Sequence, residues 1–172
     1  MSKMPSNAQH NFARVPSAEI PRSSFDRSFG TKTTFDSGFL IPIFADEVLP
    51  GDTFNVKMHA FARLNTPIKP LMDNAYLNTF FFFVPNRLLW ENWERMNGQQ
   101  DNPGDSTDFL VPQVEAPVGG WDFGTIADYL GVPTKVGGLR VCAFWHRAYN
   151  LIWNEWFRDQ NLQDRVPVPT GD

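Results

Sequence analysis

Four consecutive phenylalanines, Phe80 to Phe83, constrain this chain more than any other feature. They close the run from Ala75 to Val84, which reads as a strand and stops at Pro85. Successive side chains of a strand point to opposite faces, so the run sends two rings to each side. A strand that is apolar on both faces belongs in the middle of a sandwich or in a contact between subunits. The rest of the chain is similarly aromatic, with 16 Phe, 6 Trp and 3 Tyr in 172 residues. That density excludes a disordered polymer and requires burial, inside the chain or against something else.

Period-two patterning recurs upstream. Phe35, Ser37, Phe39, Ile41 and Ile43 share one face with Asp36 and Gly38 opposite, which predicts a strand over 33–44. Pro42 lacks a donor and marks an edge, a bulge or a strand end. Pro50-Gly51 suits the central positions of a type II turn. Over 53–64, Phe54, Val56, Met58, Ala60, Ala62 and Leu64 alternate with Asn55, Lys57, His59 and Arg63, with Phe61 alone breaking the polar face. Thr66-Pro67-Ile68-Lys69-Pro70 is a rigid extended connection.

Helical signals follow. Asn86 is placed to cap a short helix carrying Leu89, Trp93 and Met96, ended by Gly98. Residues 99–120 form a polar loop with Asp101, Asp105, Asp108 and Glu115 and no Lys or Arg. Thr125-Ile-Ala-Asp128 has the form of a capping box opening a single-turn helix, closed by Gly131 and Pro133. From Leu139 to about Gln160 the residues Val141, Trp145, Ala148, Ile152 and Trp156 recur at helical spacing, widened by Tyr149 and Trp153. The last seven residues, Val166-Pro-Val-Pro-Thr-Gly-Asp172, read as an extended loop. The organisation expected is an extended arm over 1–30, strands and a short helix over 31–98, and a loop and helical region over 99–172. Three strands cannot supply a two-sheet core, so the architecture is expected to be incomplete at residue 172.

Charge is unevenly spread. The chain carries −4 overall, whereas Lys3, Arg14, Arg22 and Arg27 oppose only Glu19 and Asp26 in the first 30 residues. Phe12, Val15, Ile20, Phe25 and Phe29 punctuate the same arm like anchors. Two readings stand: packing along a neighbouring subunit, and contact with single-stranded nucleic acid through cations and stackable rings. No apolar run approaches the ~20 residues of a membrane span, so no membrane partner is expected. Residues 1–7 lack the apolar core of a secretory signal. The single Cys142 excludes an intrachain disulfide and fits a reducing compartment.

Catalytic constellations are missing from the sequence: no nucleophile elbow, no phosphate loop, no dinucleotide fingerprint, no zinc-protease helix motif. An enzyme is not expected, nor a cofactor. Cys142 and His146 stand at i and i+4 on the expected last helix, spacing that suits half a metal site, but no second pair completes it. Cys142 lies among Val141, Ala143 and Phe144 and is read as a small core residue. His59, on a polar strand face, is read as solvated or interfacial, and His10 carries no signal. The run Asp101-Asn-Pro-Gly-Asp105-Ser-Thr-Asp108 departs from the calcium-loop pattern and is read as a solvated turn. Glu91, Glu94 and Arg95 form an exposed helix face. A carbohydrate-binding module is the alternative class, with Trp121 as its candidate stacking ring.

Residues 63–98, from Arg63-Leu-Asn-Thr-Pro through Asn78-Thr-Phe-Phe-Phe-Phe-Val-Pro-Asn-Arg-Leu to Asn97-Gly98, closely resemble the major capsid protein family of Microviridae, in its gokushovirus branch. Arg22-Ser-Ser-Phe-Asp-Arg-Ser-Phe29, Thr34-Phe-Asp-Ser-Gly38 and Leu151-Ile-Trp-Asn-Glu-Trp-Phe-Arg-Asp-Gln160 extend the likeness over nearly the whole chain. The resemblance implies a mainly β protein, part of a viral β-jelly-roll with inserted helices and long loops. It also implies a T=1 icosahedral shell around the single-stranded DNA of a small bacteriophage. Family members are several-fold longer, so the chain is expected to be an N-terminal portion, with 33–44, 53–64 and 75–84 as early jelly-roll strands. The implied partners are further copies of the subunit, other virion and scaffolding proteins, and the packaged DNA. The implied location is the virion, after assembly in the cytoplasm of a bacterial host. Candidate subunit contacts are Phe80, Phe81, Phe82, Phe83, Trp90, Trp93, Trp153 and Trp156, with Trp145 as a further core or contact ring. Candidate DNA-contacting residues of the arm are Lys3, Arg14, Arg22 and Arg27.

Overall fold

The computed structural model describes residues 20–172. The chain divides into two units, Met1–Lys32 and Thr33–Asp172. The described part of the first unit, 20–32, has no regular secondary structure. At Asp26 the carboxylate accepts the Ser28 N–H at 2.9 Å and the Ser28 hydroxyl at 2.5 Å. Those two bonds favour the ionised form and hold the Asp26 carboxyl below the usual carboxylate range.

In the second unit, the segments expected as strands at 33–44, 53–64 and 75–84 run without any sheet ladder among the described residues. A strand is defined by a neighbour that exchanges N–H and C=O groups with it, and these three segments have none here. Turns punctuate them as expected. Gly51 has φ +84°, and the Asp52 N–H closes the Pro50-Gly51 turn onto the Leu49 carbonyl at 3.1 Å. The 33–44 segment is held by two hydroxyls from far along the chain. Tyr129 donates to the Thr34 carbonyl at 3.1 Å and Tyr149 to the Leu40 carbonyl at 2.9 Å.

Among the described residues, regular structure begins after Pro85. Pro85, with φ −65° and extended ψ, precedes a 3₁₀ turn at Asn86–Leu88, so Asn86 lies inside the turn and does not cap it. Helix α1 follows at Trp93–Met96. It ends as expected at Gly98, with φ +101°, and the Asn97 side chain closes it by donating to the Trp93 carbonyl at 2.7 Å.

The expected loop over 99–120 and the expected helix from Leu139 each hide a strand. β1 (Gln113–Glu115) pairs antiparallel with β2 (Arg140–Cys142) in the register Gln113↔Cys142, Val114↔Val141, Glu115↔Arg140. Bonds from the Ala116 N–H to the Leu139 carbonyl (2.8 Å) and from the Ala143 N–H to the Pro112 carbonyl (2.9 Å) extend the pairing at both ends. A helix over 139–143 would forfeit these bonds. The connection between β1 and β2 crosses itself where Gly120 and Gly137 remove the side chains. A Cβ on Gly120 would lie 2.2 Å from the Val136 nitrogen, and one on Gly137 would lie 2.2 Å from the Val118 oxygen.

Within that connection, helix α2 (Ile126–Tyr129) starts at Thr125. The capping box does not form. The Thr125 hydroxyl donates to the Asp122 carbonyl at 2.8 Å, and the Asp128 carboxylate accepts the Gly124 N–H at 2.8 Å. Both side chains satisfy the loop before the helix, a local competition open to short polar groups.

Helix α3 spans Phe144–Ile152 and widens into a π-helical turn at Trp153–Phe157, closed by the Arg158 N–H on the Trp153 carbonyl at 2.9 Å. Phe144, Ala148 and Leu151, at i, i+4 and i+7, give one apolar face. This face packs against Leu89 and Trp90, with Val84, Trp93, Met96, Phe109 and Cys142 around them. The Trp90 ring lies 6.0 Å from Phe144 and 6.5 Å from Phe109, and Trp93 meets Phe144 edge-on at 5.9 Å. This small core, with Trp90 0% and Leu89 2% exposed, positions everything that follows.

Candidate assembly surface

The four-phenylalanine run leaves the core at Val84 and carries its rings on alternate sides. Phe80 and Phe82 stand 6.4 Å apart on one side and meet the π-helical turn. Phe80 packs edge-on against Phe157 at 5.3 Å, and Phe82 lies 5.7 Å from Trp156 and 6.1 Å from Phe157. Each such aromatic pair is worth about 0.5–1.5 kcal/mol beyond the area it buries. The cluster is not closed: Phe80 remains 57% and Trp156 72% exposed, and Phe81 and Phe83, outside it, are 60% and 74% exposed. The result is an apolar ledge with both sides open.

The other proposed contact residues separate by depth. Trp90 is fully buried in the core, with its indole N–H donating at 2.8 Å to the Asp172 carboxylate, so it cannot also face a partner. Trp93 and Trp153 are half-buried, and Trp145 is exposed. Further apolar side chains missed by the sequence reading are open to solvent as well, including Ile68, Met72 and Val118. The isolated apolar residues in proline- and glycine-rich connections gave no periodic signal for them.

A second construction was also invisible in the sequence. Residues 165–172 run as a strap over the 3₁₀ turn and α3, tied by polar groups at separated positions. Asn154, 1% exposed, donates to the Val166 carbonyl at 2.8 Å and accepts the Val166 N–H at 2.9 Å. The Glu91 N–H donates to the Thr170 carbonyl at 3.0 Å. Arg147, 7% exposed, donates to the Leu89 carbonyl at 3.0 Å and the Gly171 carbonyl at 2.9 Å. Burial moves the Arg147 guanidinium below its usual range, partly offset by the nearby Asp172 carboxylate. Asn92 donates to both Asp172 carboxylate oxygens at 3.2 Å. The available signal was polar Arg147 and Asn154 interrupting an otherwise apolar helical stripe, since buried polar groups need partners.

The structure separates the Cys142–His146 pair between two elements, Cys142 on β2 and His146 on α3. Cys142 packs against the core, and no group of three or more metal-ligating side chains occurs among the described residues. His146 lies flat on Trp121, centroids 6.0 Å apart and planes at 24°. Both its ring nitrogens are buried with no hydrogen-bond partner, and burial pulls its pKa below the ordinary value. The ring face of Trp121 named for sugar stacking therefore has an imidazole on it. In the acidic loop, Asp105 accepts the Asp101 and Asn102 N–H groups at 3.1 and 2.9 Å, a self-satisfied turn. Exposed ion pairs join Glu115 to Arg140 at 2.9 Å, Glu155 to Arg165 at 2.6 Å, and Asp122 to Lys135. Of the arm cations, Arg22 and Arg27 are exposed, while Lys3 and Arg14 lie outside the described residues.

The ledge leaves large aromatic side chains uncovered among the described residues, and comparison with known proteins supplies the class of the chain. The family described as "Capsid protein (F protein)" matches residues 13–172, and the chain belongs to that family. Among its relatives, the capsid protein VP1 of Bdellovibrio phage phiMH2K is 55% identical over 164 residues, 95% of this chain and 31% of that protein. VP1 of Chlamydia phage 1 is 52% identical over 176 residues, covering 99% of this chain and 30% of that protein. VP1 of Spiroplasma virus 4 is 39% identical over 170 residues, 98% of this chain and 30% of that protein. The chain thus spans a little under a third of the length of these relatives. The resemblance to the Microviridae capsid proteins read from 63–98 is borne out.

Proposed function

We propose that the chain is the N-terminal portion of a virion shell subunit with a structural, non-enzymatic role. The observation that carries this reading is the Phe80–Phe83 run: one pair of rings has partners on the π-helical turn, and the other pair stands exposed with no ring contact among the described residues. Large exposed aromatics of this kind supply the buried anchors of protein–protein contacts. The segments 33–44, 53–64 and 75–84 become jelly-roll strands when neighbouring strands pair with them. Phe80 to Phe83, Trp93, Trp153 and Trp156 then divide between the completed core and the contacts between subunits. The shell is a T=1 icosahedron around single-stranded DNA, built in the cytoplasm of the bacterial host with other virion and scaffolding proteins. The arm carrying Lys3, Arg14, Arg22 and Arg27 lies against a neighbouring subunit or the packaged DNA.

The test is assembly of the full-length subunit carrying Phe81→Asp or Phe83→Asp. Both side chains lie outside the aromatic cluster, so the substitutions spare the core around Trp90. Particle yield should fall below detection for both. Normal particles from both variants would overturn the reading.

A further inference from the structure

The outward face of 53–64 takes no part in the core or the aromatic ledge. Residues 52–67 contain no turn or bend, so Asn55, Lys57, His59, Phe61 and Arg63, at every second position, share one side of an extended segment. Exposure follows the same alternation. Phe61 is 92% exposed, against 39% to 62% for Phe54, Val56, Met58 and Leu64 on the opposite side. Core packing does not account for a large ring standing bare in a row of polar side chains. Among the described residues no ion pair or ring contact engages Lys57, Phe61 or Arg63. Pairing with neighbouring strands uses the backbone edges of the segment and leaves this side-chain face as it is.

The charge of the neighbourhood is one-sided. Between Asp52 and Asp73 the chain has Lys57, Arg63 and Lys69 and no Asp or Glu, although the whole chain carries −4. At about 3.3 Å per residue, positions 57 and 63 stand about 20 Å apart along the segment, with the Phe61 ring between them. His59 adds a planar ring and an N–H donor to the same row. Cations that neutralise phosphates, together with a ring on which a base stacks, are the two elements of a surface for single-stranded nucleic acid. A run of carboxylates would engage the cations and leave Phe61 unused. A duplex would leave it unused as well, because its bases are already stacked on one another.

We propose that Lys57, His59, Phe61 and Arg63 form a contact site for single-stranded DNA, with Lys57 and Arg63 on backbone phosphates and Phe61 stacked on a base between them. The site is separate from the cations of the arm. It tolerates any sequence, because every base presents a π-face to the ring. Packaged DNA as the occupant rests on the reading of the chain as part of a shell subunit; binding of an oligonucleotide does not.

The probe is a fluorescein-labelled oligothymidylate of about 12 nucleotides, within the range that one such surface covers, titrated by anisotropy into the full chain. The arm is present in every variant, so differences between variants belong to this face. Phe61→Ala should weaken binding about tenfold with the salt dependence unchanged, and Phe61→Tyr should restore it. Lys57→Gln combined with Arg63→Gln should lower the slope of log affinity against log salt by about 1.4, two phosphates at about 0.7 each on a single strand. All three positions are exposed, so the substitutions spare the core. No saturable binding to the wild-type chain, unchanged affinity of Phe61→Ala, or an unchanged salt slope in the double variant would overturn the site. An equal loss on a duplex of the same length would overturn the stacking of Phe61 on an unpaired base. Polyglutamate that competes as well as unlabelled oligothymidylate at equal charge would overturn nucleic acid as the ligand. The particle assay with Phe81→Asp fails or succeeds independently. Particles lost there with no oligonucleotide bound here leave the shell subunit and remove this site, and the converse leaves the site and removes the shell subunit.

Discussion

Replacing Asn154 with Ala removes both bonds that hold Val166. The side chain is 1% exposed, donates to the Val166 carbonyl at 2.8 Å and accepts its N–H at 2.9 Å. Each bond is worth about 0.5–1.5 kcal/mol net. Val166 is half-buried, so water recovers part of what its backbone groups lose. The strap should therefore loosen by about 2 kcal/mol, a factor of about 30 in its opening equilibrium. Amide hydrogen exchange followed by NMR reads this directly, because local opening sets the exchange rate of the Val166 N–H. That amide should exchange about 30-fold faster in the variant, the opening factor converted one to one. The Arg147 N–H, bonded to the Ala143 carbonyl at 2.9 Å within α3, should keep its protection. An unchanged Val166 rate would refute the reasoning that Asn154 clamps the strap. Equal acceleration at Arg147 would refute the separation of strap from helix.

Gly137→Ala would place a Cβ 2.2 Å from the Val118 oxygen and should cost about 1–3 kcal/mol as an overpacked contact, lowering the thermal midpoint. Gly104→Ala, where a Cβ meets nothing, should leave the midpoint unchanged; equal midpoints for both variants would contradict the crossing of the two loops. His146 is held neutral by burial, so the unfolded chain binds its proton first as pH falls. Stability should be level above the ordinary histidine value of 6.5 and decline below it until the folded-state pKa is passed. His146→Phe keeps a ring on Trp121 and removes both orphaned nitrogens, so denaturant midpoints between about pH 7.5 and 5.5 should flatten. A pH profile that superimposes on the wild type would exclude His146 as the source.

Local chemistry was legible and long-range pairing was not. The Pro50-Gly51 turn and the glycine end of α1 followed from which residues tolerate positive φ. The alternation of Phe80 and Phe82 against Phe81 and Phe83 followed from the period of an extended chain. The hairpin of β1 and β2 escaped because Gln113-Val-Glu115 is too short to show alternation, while Leu139 and Val141 fit a helical stripe. Asn86 and Thr125 illustrate a different limit. Both are good capping residues, but Pro85 starts the 3₁₀ turn one residue earlier, and Thr125 finds a nearer acceptor in the Asp122 carbonyl. The ties from Tyr129 to Thr34, Tyr149 to Leu40 and Arg147 to Gly171 join residues 95, 109 and 24 positions apart. No local pattern encodes such partners. For Arg147, which is buried, the rule that buried polar groups are satisfied points to the existence of a partner.

Electron microscopy of the full-length subunit that contains this chain tests the central proposal most directly. A shell subunit predicts closed, uniform icosahedral particles of T=1 size that contain this chain, and their loss when Phe81→Asp is introduced. Soluble, unassembled chain at the same expression level, or particles that form without it, would contradict the account.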